Sequence, residues 1–215
     1  MPAKQLPHVL SGMVLDLMIK YPLHFVDVET TALDTKRGEL LSIAIITESK
    51  AGERSSYYQL IKPTHIQTAQ TKALQVARYD ARLWEGAPTF EAIAPLVAEF
   101  LKEGTIVAHN AQFDHAHITA ALARCMVSKP KITRHTICTM QLMKEHAPTS
   151  SASMKSARLL FGLGALIPHD ALDDARACRV VFKRLWRCSA ISRIWLRVLH
   201  TLQKHEIANA QRRWQ

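Results

Sequence analysis

The chain has 215 residues, of which 48% are hydrophobic and 21% charged, and a formal net charge of +10. That balance excludes a disordered or fibrous chain, and the length suits one sizeable core with an appendage. No run approaches the ~18 uninterrupted apolar residues of a membrane span, and the positive charge points to polyanionic partners without bearing on fold.

Residues 1–20 are expected to hold a short helix, because Val9, Met13, Val14, Leu17 and Met18 recur at helical spacing. This segment lacks the basic head, long apolar run and small-residue cleavage site of a signal peptide, so a cytoplasmic protein is expected. The stretch Leu23-His24-Phe25-Val26-Asp27-Val28-Glu29-Thr30-Thr31 reads as a buried strand that ends in two acids. Asp27 and Glu29 are two apart, so both carboxylates point to one face. Side by side on an apolar strand they repel each other and cost desolvation. A divalent cation, which takes hard oxygen ligands, would keep them ionised there. For this stretch alone, an exposed edge strand with two solvated acids is the plainer alternative.

Residues 40–47 and 56–62 predict a second and a third strand, the latter ended by Pro63. Short connections make these three an antiparallel meander. Helices are expected over 68–78 and 88–102. Thr89 is placed to cap the second, and Pro95 must kink it or shift its start. Thr105-Ile106-Val107-Ala108 predicts a short buried strand that runs into His109-Asn110-Ala111-Gln112-Phe113-Asp114 and a helix to about Arg124. A fifth strand is expected over 132–137, with helices near 138–146 and 153–161, the second stopped by Gly162 and Gly164. Pro168-His169-Asp170 reads as a turn that opens a helix from about 171 to 187, and a last amphipathic helix follows to about 210. Strands first, then strands alternating with helices, predict an α/β chain with a mixed five-stranded sheet flanked by helices on both faces. Cys125, Cys138, Cys178 and Cys188 form no Cys-x-x-Cys pair, which leaves reduced core thiols as the default.

Asp114 follows the fourth strand at the start of a helix, and Asp174 falls in the first turn of the helix after His169. Sites in α/β sheets collect at strand ends, so acids from separate elements can meet there. Asp27, Glu29, Asp114 and Asp174 would then form one cluster, which about two divalent cations would make tolerable. Two metals ~3.5–4 Å apart suit in-line attack on a phosphodiester. Taken singly, Asp114 and Asp174 are explained equally well by the preference of acids for helix starts.

Three motifs stand in order: Asp27-Val28-Glu29-Thr30-Thr31, His109-Asn110-Ala111-Gln112-Phe113-Asp114 and His169-Asp170-Ala171-Leu172-Asp173-Asp174. Trp84-Glu85-Gly86-Ala87-Pro88-Thr89-Phe90 and Ile137-Cys138-Thr139-Met140 are secondary similarities. Together they resemble the DEDDh 3′→5′ exonucleases, the superfamily of ribonuclease T and the proofreading subunit of DNA polymerase III. The resemblance implies an RNase H-like fold, two Mg²⁺ or Mn²⁺ held by Asp27, Glu29, Asp114 and Asp174, and removal of nucleotides from a 3′ end. It divides the chain into a helical extension over 1–20, an exonuclease domain over 21–187 and a basic helix over 188–215. Two departures bear on substrate preference: Ala32 stands where the family often has Gly, and Ala77-Arg78 where Asn-Gly is common.

An unperturbed imidazole titrates near about 6.5, so His169, on a loop facing the metals, is the candidate general base. Asp173 reads as structural, at the third helical position behind Asp170 as N-cap. Thr30, Thr31, Leu33, Asn110 and Phe113 are candidates for holding the terminal nucleotide, although Phe113 serves equally well as plain core.

Residues 177–215 hold nine Lys or Arg and one acid, Glu206. A nucleic-acid partner follows from that imbalance, with a solvated basic face as the alternative. In the last helix the apolar stripe is expected to pack on the domain or on a second copy. Arg193, Arg197 and Lys204 would face the nucleic-acid backbone, and docking of a protein partner is the rival use. The expected activity is metal-dependent 3′→5′ exonucleolysis of single-stranded or frayed DNA. Trimming of RNA on the same scaffold, or a nucleic-acid-binding module with an idle site, are the other readings.

Overall fold

The computed structural model describes residues 21–49, 51–125, 132–147 and 149–186. Its centre is a five-stranded sheet in the order β3-β2-β1-β4-β5, formed by β1 (Leu23–Thr30), β2 (Leu40–Glu48), β3 (Arg54–Leu60), β4 (Thr105–Ala108) and β5 (Thr136–Cys138). The first three pair antiparallel, as the short connections require, and β4 and β5 join parallel to β1.

Alternation along β1 sorts its side chains to two faces. Val26 and Val28 enter a core with Ile43, Ile45 and Ile106 of the sheet. That core is closed by Ile93 and Val97 of α3 (Phe90–Phe100) and by Ile118 and Leu122 of α4 (Ala111–Cys125). Phe25 points to the other face and packs on Phe182 of α7 (171–186), their ring centroids 5.8 Å apart. Asp27 and Glu29 continue this second face beyond Phe25, so β1 carries its acids out of the core and toward the start of α7. Val181 and Leu185 of α7 also pack on Met143 of α5 (Thr139–His146) and Ala157 of α6 (Met154–Leu160).

A register shift between Glu29 and Thr30 ends the regular pairing with β2, a bulge of the kind found beside active sites. Leu41 is the residue it leaves over. It packs with Ala77 and Trp84, and its carbonyl accepts the Trp84 indole N–H at 2.7 Å. Trp84 sits on α2 (Ala81–Glu85), and Ala77 directly follows α1 (Thr71–Val76).

Several expectations need correction. The helix expected over 68–78 is a 3₁₀ turn at Ile66–Thr68 followed by the shorter α1, and α2 was not anticipated. Thr89 occupies the N-cap position of α3 but its side chain makes no capping bond. The fifth strand is only Thr136–Cys138, because Thr133 turns inward to donate its hydroxyl to Gly104 O at 2.7 Å. Asp170, by contrast, accepts the Asp173 N–H at 3.0 Å, the capping bond expected of it. Arg179 and Lys183 open the basic run, yet both pair with Glu48 at the end of β2 and do not project freely. The helix expected in 1–20, Cys188, and the final helix with Arg193, Arg197 and Lys204 lie outside the described residues. Among the described residues, no helix is long and apolar enough to cross a membrane.

Candidate active site

The four acids arrive from three elements. Asp27 and Glu29 are half-buried on β1. Asp114, 3% exposed, lies in the first turn of α4, and Asp174, 7% exposed, in the first turn of α7. The sheet itself explains how α4 delivers Asp114. β4 pairs with β1 only along Leu23, His24 and Phe25, so the β1 edge is open beyond that point. Val28 N–H, left without a ladder partner on that edge, donates to Asp114 Oδ1 at 3.2 Å.

Around Asp174 the hydrogen bonds are denser. Its Oδ2 accepts the His169 N–H at 2.8 Å, and its Oδ1 takes the Arg158 guanidinium at 2.5 Å. One oxygen each of Glu29 and Asp174 and a ring nitrogen of His169 lie within 4.8 Å of one another. His169 itself is exposed and holds φ +59°. The left-handed backbone of a non-glycine residue is an outlier that clusters at functional sites.

Burial is the main reason that Asp27 is held well above the usual carboxylate range, and repulsion from Asp114, Asp174 and Glu29 adds to it, against the pull of Arg158. Burial likewise pushes Glu29 up to about 7, helped by Asp174 and Asp170 and opposed by Arg78. Asp114 is pushed up to about 8, chiefly by burial, even though the Val28 N–H favours its ionised form. At an effective dielectric near 20, two carboxylates ~5 Å apart repel by about 3 kcal/mol. The guanidinium groups of Arg158 and Arg78 do not offset that for four acids, since Asp27, Glu29 and Asp114 all stay raised. The group therefore either holds protons or takes up further cations, and its carboxylate oxygens with an imidazole at the rim suit a hard divalent cation.

The remaining candidates distribute unevenly. Thr30 and Thr31 are buried and turn the chain out of β1: the Thr30 hydroxyl donates to Ala32 O at 3.0 Å, and Thr31 Oγ1 accepts the Glu39 N–H at 2.9 Å. Ala32, 3% exposed, fits beneath this loop. The glycine the loop does require is Gly38, where a Cβ would fall 2.7 Å from Ala32 O. Leu33, in the loop after β1, is 74% exposed. Asn110 is exposed at φ +97°. Phe113 belongs in large part to the core, packed on it and tilted against His117 at 4.3 Å between ring centroids. Arg78 keeps the left-handed turn, φ +52°, that a glycine adopts freely, at a cost of about 1–2 kcal/mol.

Sequence reasoning missed Arg158 and Tyr58. Arg158 is a single cation near the end of a short helix, with no spacing to mark it. Tyr58 is aligned with Asp27 across β2, through the pairs Asp27↔Ala44 and Ala44↔Tyr58. Burial, then Asp170 and Glu29, push its phenol up. Strand pairing, which a single sequence does not display, is the signal that would have found it.

A family model described as "Exonuclease" (RNase_T) matches residues 25–182. The chain is 31% identical over 158 residues to the PolC-type DNA polymerase III of Thermotoga maritima, covering 74% of this chain and 11% of that protein. It thus spans about a tenth of that relative's length. It is 26% identical to the DNA polymerase III subunit epsilon of Treponema pallidum, covering 73% of this chain and 72% of that one. Among solved structures, E. coli exonuclease I in complex with a dT13 oligonucleotide superposes with a TM-score of 0.64 at 12% identity, over 84% of this chain and 44% of that one.

Proposed function

From the chain's membership of the RNase T exonuclease family, we propose that it is a metal-dependent 3′→5′ exonuclease acting on single-stranded or frayed DNA. The observation that carries this reading is the convergence of Asp27, Glu29, Asp114 and Asp174 at the ends of β1 and β4, with His169 on their rim. The structural likeness to a nuclease bound to dT13 supports the fold, and through it a path for a single strand.

In this reading the four carboxylates hold two Mg²⁺ or Mn²⁺. Bound there, the ions supply Lewis-acid stabilisation of phosphoryl charge and a water of lowered pKa. The residues of the chain do the rest. Asp27 and Asp114 are fixed by β1 and by the Val28 N–H, and so hold their oxygens without rearrangement. His169, exposed and anchored through its own N–H to Asp174, takes the proton of the attacking water. Thr30 and Thr31 set the loop that carries Leu33, which meets the terminal base. If His169 is the base, His169→Gln should lower the maximal rate by about a hundredfold and flatten the rise of activity with pH expected of the wild type. A wild-type rate with an unchanged pH profile would remove His169 from the mechanism.

The basic residues Arg193, Arg197 and Lys204 are assigned to the phosphate backbone of the incoming strand. Exchanging all three for Gln should raise KM and lower the log–log salt slope by about 0.7 for each phosphate no longer neutralised, with kcat little changed. An unaltered KM and slope would assign that segment to a protein partner or to a second copy. The reading as a whole is tested with 5′-labelled DNA and RNA strands of one sequence, open or blocked at the 3′ end. It predicts stepwise shortening of open DNA and persistence of the blocked strand. Preference for RNA would reassign the substrate, and cutting of the blocked strand would reassign the reaction.

A further inference from the structure

Arg158, with 8% of its surface exposed, is buried against Asp174 and also draws on the charge of Asp27. It lies near the end of α6, a helix capped by Ser153, whose Oγ accepts the Ser156 N–H at 3.2 Å. Its guanidinium serves three acceptors at once. Nη1 donates to Leu166 O at 2.8 Å, and Nη2 donates to Ile167 O at 3.3 Å and to Asp174 Oδ1 at 2.5 Å.

The same segment is laced a second time by α7. Asp173 Oδ2 accepts the Ile167 N–H at 2.9 Å, and Asp174 Oδ2 accepts the His169 N–H at 2.8 Å. These side-chain bonds hold the 166–169 segment, with His169 in the left-handed region, and all of them run to Arg158, to Asp173 or to Asp174. Arg158 in turn fixes the Asp174 carboxylate on the side away from His169. Buried ion pairs are weak devices for stability. A planar fork that joins two carbonyls and a carboxylate is instead a device for geometry.

We propose that Arg158 is a positioning residue that fixes both Asp174 and the His169 turn before any cation binds, so that the protein's own hydrogen bonds preassemble the site. This rests on the reading of Asp174 as a metal ligand and His169 as the base. Lysine at 158 would keep the charge but, as a compact point donor, could not span the three acceptors. Arg158→Lys therefore separates geometry from charge.

The test is Mn²⁺ titration by calorimetry of the wild type, Arg158→Lys and Arg158→Met, together with steady-state kinetics on a single-stranded DNA oligonucleotide. Outer-shell partners of metal ligands typically control about 10–100-fold in affinity or activity. Arg158→Lys is accordingly expected to bind Mn²⁺ about tenfold more weakly and to lose kcat about 10–100-fold, with KM within about twofold of the wild type. Wild-type Mn²⁺ affinity and kcat in Arg158→Lys would overturn the proposal. So would tighter Mn²⁺ binding in Arg158→Met, which would make Arg158 only a competing charge. Should both variants fail to fold, hydrogen exchange on the metal-free wild type decides. The Ile167 and His169 amides are expected to exchange about a hundredfold or more slowly than in an unstructured chain, and exchange at the unstructured rate would overturn the proposal. The titration needs no turnover, so a wild type that binds Mn²⁺ but cuts nothing defeats the exonuclease reading and leaves Arg158 to be judged on affinity alone.

Discussion

Asp114→Asn is expected to abolish nuclease activity and, at the same time, to raise the melting temperature of the metal-free protein above pH 8. The activity loss follows from removing one of four cation-holding carboxylates. A lost interaction of about 4 kcal/mol at an effective dielectric near 20 corresponds to about a thousandfold in rate. The stability gain follows from the raised titration of Asp114, about 8 in the folded chain against about 3.9 in an unfolded one. Between those values the folded state holds a proton that the unfolded state has released. The stability this contributes is complete below about pH 4 and is lost as pH rises through about 8. Across pH 6 to 8 a single such group removes about 2–3 kcal/mol, or about 5–10 °C in a chain of this size. Asparagine keeps an oxygen to accept the Val28 N–H and carries no charge, so the variant's melting temperature should fall less steeply than the wild type's over that interval, the remaining fall coming from Asp27 and Glu29. Thermal melts in EDTA at pH 6, 7, 8 and 9 measure the difference. A variant that falls with pH as steeply as the wild type would show that Asp114 is not the residue under strain.

Chelation should have an effect as large. EDTA is expected to eliminate activity, and Mn²⁺ or Mg²⁺ to restore it. Cation uptake should also release protons, because the carboxylates must ionise to become ligands. At pH 7, Asp27 is held well above the carboxylate range, Asp114 near 8 and Glu29 near 7. About two protons should therefore leave per protein at saturation, and fewer as pH rises past the Asp114 value of about 8. Calorimetry in two buffers of different ionisation enthalpy counts them. Binding without proton release at pH 7 would mean that the acids are ionised already and that something other than a cation stabilises them.

Much of this was legible in the sequence, for identifiable reasons. The alternation along β1 that separates Val26 and Val28 from Asp27 and Glu29 is a property of any strand, so the shared face of the two acids could be read directly. The capping role of Asp170 and the meander of β1 to β3 were equally local. What escaped depends on distant partners. The bulge at Glu29 and Thr30 exists because Leu41 has Trp84 and Ala77 to pack on, 36 or more residues away. Thr133 leaves the strand pattern for the Gly104 carbonyl. Arg158 gains its meaning only when the 166–170 turn folds back onto α6. Glu48 captures Arg179 and Lys183 across more than 130 residues, a pairing that no reading of charge runs would find. Family motifs named the four acids and His169 that the fold brings together, whereas the hydrogen bonds around Asp174 and the 166–169 turn were visible only in three dimensions.

The most direct measurement is digestion of a 5′-labelled single-stranded DNA oligonucleotide and of a circular single strand by the wild type and by Asp27→Ala, with Mn²⁺ and with EDTA. The expected result is a ladder of products shortening one nucleotide at a time from the 3′ end, given only by the wild type with Mn²⁺, while the circle survives. Linearisation of the circle, or a ladder that persists in EDTA or in Asp27→Ala, would contradict a metal-dependent 3′→5′ exonuclease built on these four acids.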